Sequence, residues 1–400
     1  MRLIDAGGLE VAVEATGLPE IGIKHALAGF ARGLHVVMVN VEADVLAGPL
    51  LARRAREMQV VYTMAYGDQP ALICEQVDWA QTIGPGVVAA GKGTLYMPEF
   101  HTSTPDTVWD YFGLTADRAK ASGMNAKMFN SFLDGTKSGI EMAAVANATG
   151  LTPAPRGLEF PPVEVDRLAS TLIPKADRGV LHHKRQVEVI SSRGRDGQDL
   201  QNDLRWGVYV VFKAPTEYVR RCFADYGIIT DEGGGYSALW RPYHLVGLEL
   251  GVSVANAAIL GRATGQADGF QGDVVACAKR DLKAGQELDA GGSFCFWGKL
   301  MPATDSLAAK TVPIGLAQNI KLKRPIKQGA VVNWDYVERN AQDETYLFRH
   351  EIETLFEPQP QPAAPAKVTT QPLAQSSGKP GAAQPSPTKP ASGQAAAAGD

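Results

Sequence analysis

The chain has 400 residues, 45% of them apolar and 20% charged, with a formal net charge of -4. This is an ordinary globular composition with room for two or three domains. Its slight acidity gives no reason to expect nucleic acid or an anionic membrane as partner. Four scattered cysteines (Cys74, Cys222, Cys277 and Cys295) form no CxxC pair and no zinc spacing, which suits a reducing compartment. No apolar run reaches membrane-spanning length, and the first residues lack a basic-then-apolar leader. The expectation is a cytoplasmic protein that handles a small molecule.

The first elements alternate. EVAVEATG (10–17) reads as a strand ending in a Gly turn, and 19–32 as a helix with Ile23, Ala26, Leu27 and Phe30 on one face, closed by Gly33. A strand over 34–40, a helix over 43–58 and a strand over 59–67 follow. Continuous apolar strands joined by helices predict a doubly wound parallel sheet. Residues 1–80 are therefore assigned to a partial Rossmann-type domain, with 10–16 as its edge strand.

Residues 81–265 predict an α+β catalytic and dimerisation domain. GVVAAGKGTLYMPEFH (86–101) reads as a strand followed by a Gly-Lys-Gly turn. Residues 130–150 read as one long helix, 186–191 and 207–213 as strands, and 243–260 as a second long apolar helix. In the third piece, 266–356, VVACAKRDLKAGQELDAGG and NIKLKRPIKQGAVVNWDYVE repeat one pattern: basic residues, a short apolar pair, a spacer and Gly285 or Gly329. Each predicts a strand and turn of a compact β module. From 357 to 400 the chain is Pro, Ala, Gln and Ser with few bulky apolar residues, and it is expected to be disordered.

VEATGLPEIGIKHALAGFARGLHVVMVN resembles the second half of the nucleotide-binding domain of the homoserine dehydrogenase family, with its Thr-Gly strand end, Ala-Leu helix and His-Val-Val strand ending in Asn. The Gly285 and Gly329 half-patterns are similar to the SAF domain, a small β-clip. Together they resemble the SAF-domain oxidoreductases, one branch of which is the deoxyxylulose phosphate reductoisomerase-like enzymes. The fold so implied is α/β plus β: a partial Rossmann-type sheet, an α+β domain, a SAF-like β-clip and a tail. The implied chemistry is NAD(P)-dependent, with NADPH favoured, on a small hydroxy-aldehyde or keto sugar, and a homodimer is implied as well. Two features depart from the pattern. The Gly-rich strand–turn–helix that cradles the pyrophosphate does not precede residue 10, as if the chain starts late. VNVEADV also places Val41 and Glu42 where homoserine dehydrogenases carry a lysine, which counts against true homoserine dehydrogenase activity. The alternatives are a catabolic polyol or homoserine-type dehydrogenase, and a truncated, cofactor-deficient, non-catalytic member.

Ligands of open parallel sheets bind at the carboxyl ends of the strands, here Thr16-Gly17, Asn40 and Tyr66-Gly67-Asp68. By resemblance Thr16, Gly17 and Asn40 flank the nicotinamide-ribose half of the cofactor, and Gly67 joins them. Lys92 is the first catalytic candidate, because flanking glycines let a ligand approach and an ammonium polarises a carbonyl or holds a phosphate. Thr94 and Tyr96 would add hydroxyls, with Glu99 and His101 nearby. Asn130, Asp134, Thr136, Lys137 and Ser138 form the second group. Asp134 and Lys137 are neighbours if helical and suit proton transfer and polarisation, while Thr136 and Ser138 near a helix start suit an anion. Arg241, with His244, is placed at the mouth of the 243–260 helix as a phosphate clamp. The pair in LHHKRQ (181–186) points to opposite faces of a strand and does not suit a shared metal. A divalent metal, Mg or Mn, is compatible with reductoisomerase chemistry. Asp134, Glu99, Asp231 and Glu232 could supply carboxylates, but their spacing does not make a site.

Overall fold

The computed structural model describes residues 2–357, so the tail expected to be disordered lies, beyond Glu357, outside the described residues. Three strands, β1 (Val11–Glu14), β2 (His35–Met38) and β3 (Tyr62–Met64), form a parallel sheet in the order β1-β2-β3. β1 is the edge strand, and Val13 is 44% exposed. The Pro19–Ala31 and Val41–Glu57 helices join these strands, and Phe30, Leu46, Leu50 and Tyr62 close the core between them.

The predicted 243–260 helix is shorter, Leu250–Leu260, and it does not belong to the second sheet. It packs on all three strands of the first. Ser253 fixes it there, its Oγ accepting from the Tyr66 N–H at 2.8 Å, while Met64 N donates to Gly265 O at 2.7 Å. The preceding residues form a loop, turning at Gly247 with φ +83°. An apolar composition did not mean full burial here, because Val252 and Ile259 on the outer side are 41% and 78% exposed.

The second sheet has the order β5-β4-β6-β7, built from β4 (Gly86–Thr94), β5 (Gln186–Ser191), β6 (Val208–Lys213) and β7 (Tyr236–Arg241). β4 runs parallel to β5 and antiparallel to β6. The Gln69–Thr82 and Thr136–Thr149 helices pack together and on strands of this sheet. The expected Gly-Lys-Gly turn is absent, since all three residues lie inside β4. The glycines are needed for close backbone packing. A Cβ on Gly91 would stand 1.7 Å from Glu188 O, and one on Gly93 would stand 1.9 Å from Leu204 O. Gly93→Ala must therefore displace backbone, and thermal unfolding should show a loss of about 3 kcal/mol or more. An unchanged Tm would refute this packing.

The helix predicted over 130–150 is two helices, Ala126–Leu133 and Thr136–Thr149. Between them Gly135 adopts φ +91°, and Asp134 Oδ1 accepts from Thr136 N at 2.8 Å, so the Asp-Gly pair ends one helix and starts the next.

In the third piece only the first half-pattern contains a strand, and the stretch around Gly329, expected as a second one, contributes isolated bridges. β8 (Gly272–Ala278) and β9 (Phe296–Pro302) pair antiparallel, and isolated bridges complete the β module. The two half-patterns take equivalent places about an approximate two-fold axis. Leu282 and Ile326 exchange N–H···O bonds of 2.8 and 3.0 Å. Gly285 N donates to Leu322 O at 2.7 Å, as Gly329 N does to Ala278 O at 2.8 Å. Both glycines are left-handed, at φ +79° and +78°.

Asp44, in the first turn of the Val41–Glu57 helix, is buried beneath Tyr62, whose OH donates to Oδ1 at 2.8 Å. Burial pushes its carboxyl up to about 6, against the pull of that hydrogen bond. The folded state thus holds this proton more tightly than the unfolded chain does. The stability this brings is present at low pH and is lost as pH rises from near 4 through about 6. Asp44→Asn should flatten that slope and add up to about 3 kcal/mol at pH 8 in denaturant titrations. An unaltered slope would count against a buried ionisation at this position.

Candidate active site

The Thr136–Thr149 helix is the hub of the molecule. It packs against the Val41–Glu57 helix, the Gln69–Thr82 helix, β5 and both strands of the β module. Lys137 and Glu141 lie one turn apart on the same side of it. Lys137 Nζ is 2.9 Å from Oε1 of Glu42, which sits in the first turn of the Val41–Glu57 helix, just beyond the carboxyl end of β2. Glu141 pairs with Lys92, whose side chain rises from the middle of β4. Asp68, N-cap of the Gln69–Thr82 helix, stands within Coulombic reach of Lys137 and Glu141. The order Lys92–Glu141–Lys137–Glu42, with Asp68 alongside, is a row of alternating charge from one sheet to the other.

Burial by itself would lower the Lys137 pKa, but Glu42, Asp68 and Glu141 outweigh it and hold the ammonium above the usual lysine range. Lys137 is therefore a permanent cation, suited to polarising an oxygen and unsuited to serving as a base. Burial pushes the Asp68 carboxyl above the usual range, with Lys137 pulling it back down. Asp68 thus holds a proton more readily than an ordinary aspartate.

A cleft of about 700 Å3 opens at the Glu42 end of this row. Its wall includes Gly17, Pro19, Glu42, Thr136 and Ile140, and across from them Gly291 and Ile314 of the β module. Glu42 lines the cleft, and Lys137, with its side chain 17% exposed, stands directly behind it.

The other predicted residues divide. Gly17 turns with φ +71° and has open space where a Cβ would be. Thr16 OH is given to Glu14 Oε1 at 2.6 Å. Asn40 caps the Val41–Glu57 helix, accepting from Ala43 N at 3.2 Å, and its amide donates to Leu18 O at 3.0 Å, so it sets the shape of the Gly17 turn. Gly67 is closed over: a Cβ there would meet Leu245 O at 2.7 Å, which leaves no room for a cofactor. Lys92 is not in a turn open to a ligand but buried under Glu141, because a strand interior faces the covering helix. Thr94 is half-buried at the end of β4.

Asp134 does not pair with Lys137, because the Gly135 break separates them. Its Oδ2 is 2.7 Å from Lys279 Nζ, and both side chains are fully buried. Lys279 also donates to Ser103 O and Ser293 O, so this cluster ties the helix start to the β module. Asn130 belongs to the same seam, bonding Ser103 and Gly292 O. Thr136 lines the cleft while its Oγ1 accepts from Gly298 N at 2.8 Å. Ser138 Oγ is buried without a partner. Arg241 does not open a helix. It ends β7 and pairs with Glu249, as the apolar stretch after it is a loop.

His101 donates from Nδ1 to Asp134 O at 2.7 Å and accepts from Tyr96 OH at Nε2, 2.9 Å away. Burial lowers its pKa, so it sits as a neutral, stacked ring against Trp297. Among the described residues, no three His, Cys, Asp or Glu side chains converge as a metal cluster. Asp231 is occupied, accepting from Tyr236 N at 2.7 Å. Sequence reasoning missed Glu141, and noted Glu42 and Asp68 only as a departure and a strand end. A carboxylate one turn from a candidate lysine, at i+4, was the available signal for Glu141.

Residues 67–250 match the family model of the catalytic domain of oxidoreductase DRL. The matched stretch contains Asp68, Lys92, Lys137 and Glu141, and leaves Glu42 outside. The match supports an oxidoreductase. No curated protein matches the chain.

Proposed function

We propose that the chain is an NAD(P)H-dependent oxidoreductase interconverting a carbonyl and a hydroxyl group, with Lys137 as the group that holds the reacting oxygen. The observation that carries this reading is the Lys137–Glu42 pair, of which Glu42 lines the cleft that also contains Gly17, with Asp68 electrostatically coupled to Lys137 behind it. The nicotinamide end of a cofactor fits this wall, because the Gly17 turn is open on its cleft side and is held in shape by Asn40. When bound, the cofactor supplies or accepts the hydride.

The protein's own groups do the rest. Lys137, fixed by Glu42, stabilises negative charge growing on the oxygen. Asp68, its carboxyl shifted upward, exchanges the proton that the oxygen gains or loses. The Lys92–Glu141 pair holds Glu141 behind Lys137 and sets the field there. NADPH over NADH and a homodimer rest on the resemblance alone, and a cytoplasmic setting on the composition and cysteine usage. Deoxyxylulose phosphate as substrate also comes from the resemblance, and Lys127 and Arg339, cations on the same cleft, could take its phosphate.

The test is a panel of aldehydes and keto phosphates assayed with NADPH and NADH, together with calorimetry of each cofactor. Turnover that disappears in Lys137→Met supports the reading. Failure of the full chain to bind either cofactor favours a non-catalytic binding module.

A further inference from the structure

The cleft that has Gly17 and Glu42 in its wall is also lined by Trp334, Arg339 and Tyr346. The same three residues line a second cavity of about 450 Å3, with His350 and Glu353 of the Glu344–Phe356 helix in its wall. The aromatic groups at this joint are unequal. The Tyr346 ring is taken: His350 stacks on it at 8°, and the Arg339 guanidinium carbon lies 5.5 Å from its centroid. Trp334 meets Tyr346 edge to face, at 83°, and no ring or cation among the described residues stacks on it. A half-buried indole without a stacking partner is a platform for a planar ring.

The charges are unequal as well. Of the lining carboxylates, Glu42 is held by Lys137, Asp273 and Glu353 are held by Arg349, and Asp343 caps the Glu344–Phe356 helix. The lining cations Arg339 and Lys310 pair with no carboxylate among the described residues. Arg339 gives one N–H to Tyr346 OH at 2.8 Å and keeps its other donors, which suit a phosphate. Glu20 and Asp335 make no side-chain hydrogen bond among the described residues, and such carboxylates accept from sugar hydroxyls.

We propose that the adenosine half of the nicotinamide cofactor lies across this joint, its purine on Trp334 and its phosphates at Arg339 and Lys310. This rests on the proposed reaction, which puts the nicotinamide end at the Gly17 turn of the same cleft. The β module then holds the cofactor as well as bracing the hub helix. Lys127 is left for a phosphate on the substrate.

The experiment is calorimetry of the full chain with three ligands: NADPH, reduced nicotinamide mononucleotide, which lacks the adenosine half, and adenosine bisphosphate, which is that half alone. NADPH should bind about a hundredfold more tightly than the mononucleotide. Adenosine bisphosphate should bind by itself and compete with NADPH. Trp334→Leu and Arg339→Ala should each weaken adenosine bisphosphate about tenfold. Arg339 is exposed, so its variant keeps the test open if Trp334→Leu fails to fold. Lys283→Ala removes an exposed cation of the β module outside both cavities and should leave this binding unchanged. Equal affinities for NADPH and the mononucleotide, or no binding of adenosine bisphosphate, overturn the adenosine site. So does binding that neither Trp334→Leu nor Arg339→Ala weakens, or that Lys283→Ala weakens as much. Binding that meets every expectation without hydride transfer to any carbonyl keeps the site and removes the proposed reaction instead.

Discussion

Replacing Lys137 by methionine should lower kcat/KM for carbonyl reduction about a hundredfold or more, the usual effect of deleting one preorganised donor to a developing oxyanion. The same change leaves Glu42, Asp68 and Glu141 without their shared cation, so the fold loses stability too. Two observations separate the effects. Combining Lys137→Met with Glu42→Gln removes a stranded charge and should restore much of the Tm, while activity stays low. The pH profile should also move. Lys137 pulls the Asp68 pKa down, so its removal lets that carboxyl rise further, and the acidic limb shifts to higher pH. If turnover per folded molecule stays near wild type, Lys137 does not hold the reacting oxygen.

Lys92→Met should act mainly on stability. Lys92 and Glu141 are 7% and 3% exposed, so the change strands a buried carboxylate, at a cost of about 3–5 kcal/mol. Lys92→Met with Glu141→Leu should recover most of this, since a well-packed apolar pair replaces a buried ion pair at little cost. Turnover per folded molecule should fall less than in Lys137→Met, because Lys92 reaches the site only through Glu141. A hundredfold loss of turnover with an unchanged Tm would move Lys92 into the chemistry, as its sequence position alone would have it. Denaturant titration and steady-state kinetics on the same samples decide between the two.

The different fates of these lysines show what the sequence could express. Both were visible as unusual, Lys92 from its flanking glycines and Lys137 from its place near a helix start. Their partners were not, because Glu42 and Lys137 are brought together by the packing of two helices from distant parts of the chain. Gly91 and Gly93 sit in a strand, yet a single chain reads the same whether glycine makes a turn or admits a neighbouring backbone. The strand–helix alternation through residue 64 was legible because its strands are continuous apolar runs, and the repeat around Gly285 and Gly329 was legible because both halves need the same turn. The break at Asp134-Gly135 carried a turn signal that the apolar periodicity around it masked. The apolar run before Leu260 was misread for a simpler reason, since composition tells how apolar a segment is but not what lies against it.

The most direct measurement follows a deuterium atom from the nicotinamide C4 of labelled NADPH. After incubation with the full chain and a carbonyl substrate, mass spectrometry of the alcohol should find the label on the former carbonyl carbon, at a rate reduced about a hundredfold in Lys137→Met. Alcohol formed without the label, or label transfer at wild-type rate in Lys137→Met, would contradict hydride transfer at the Lys137 site.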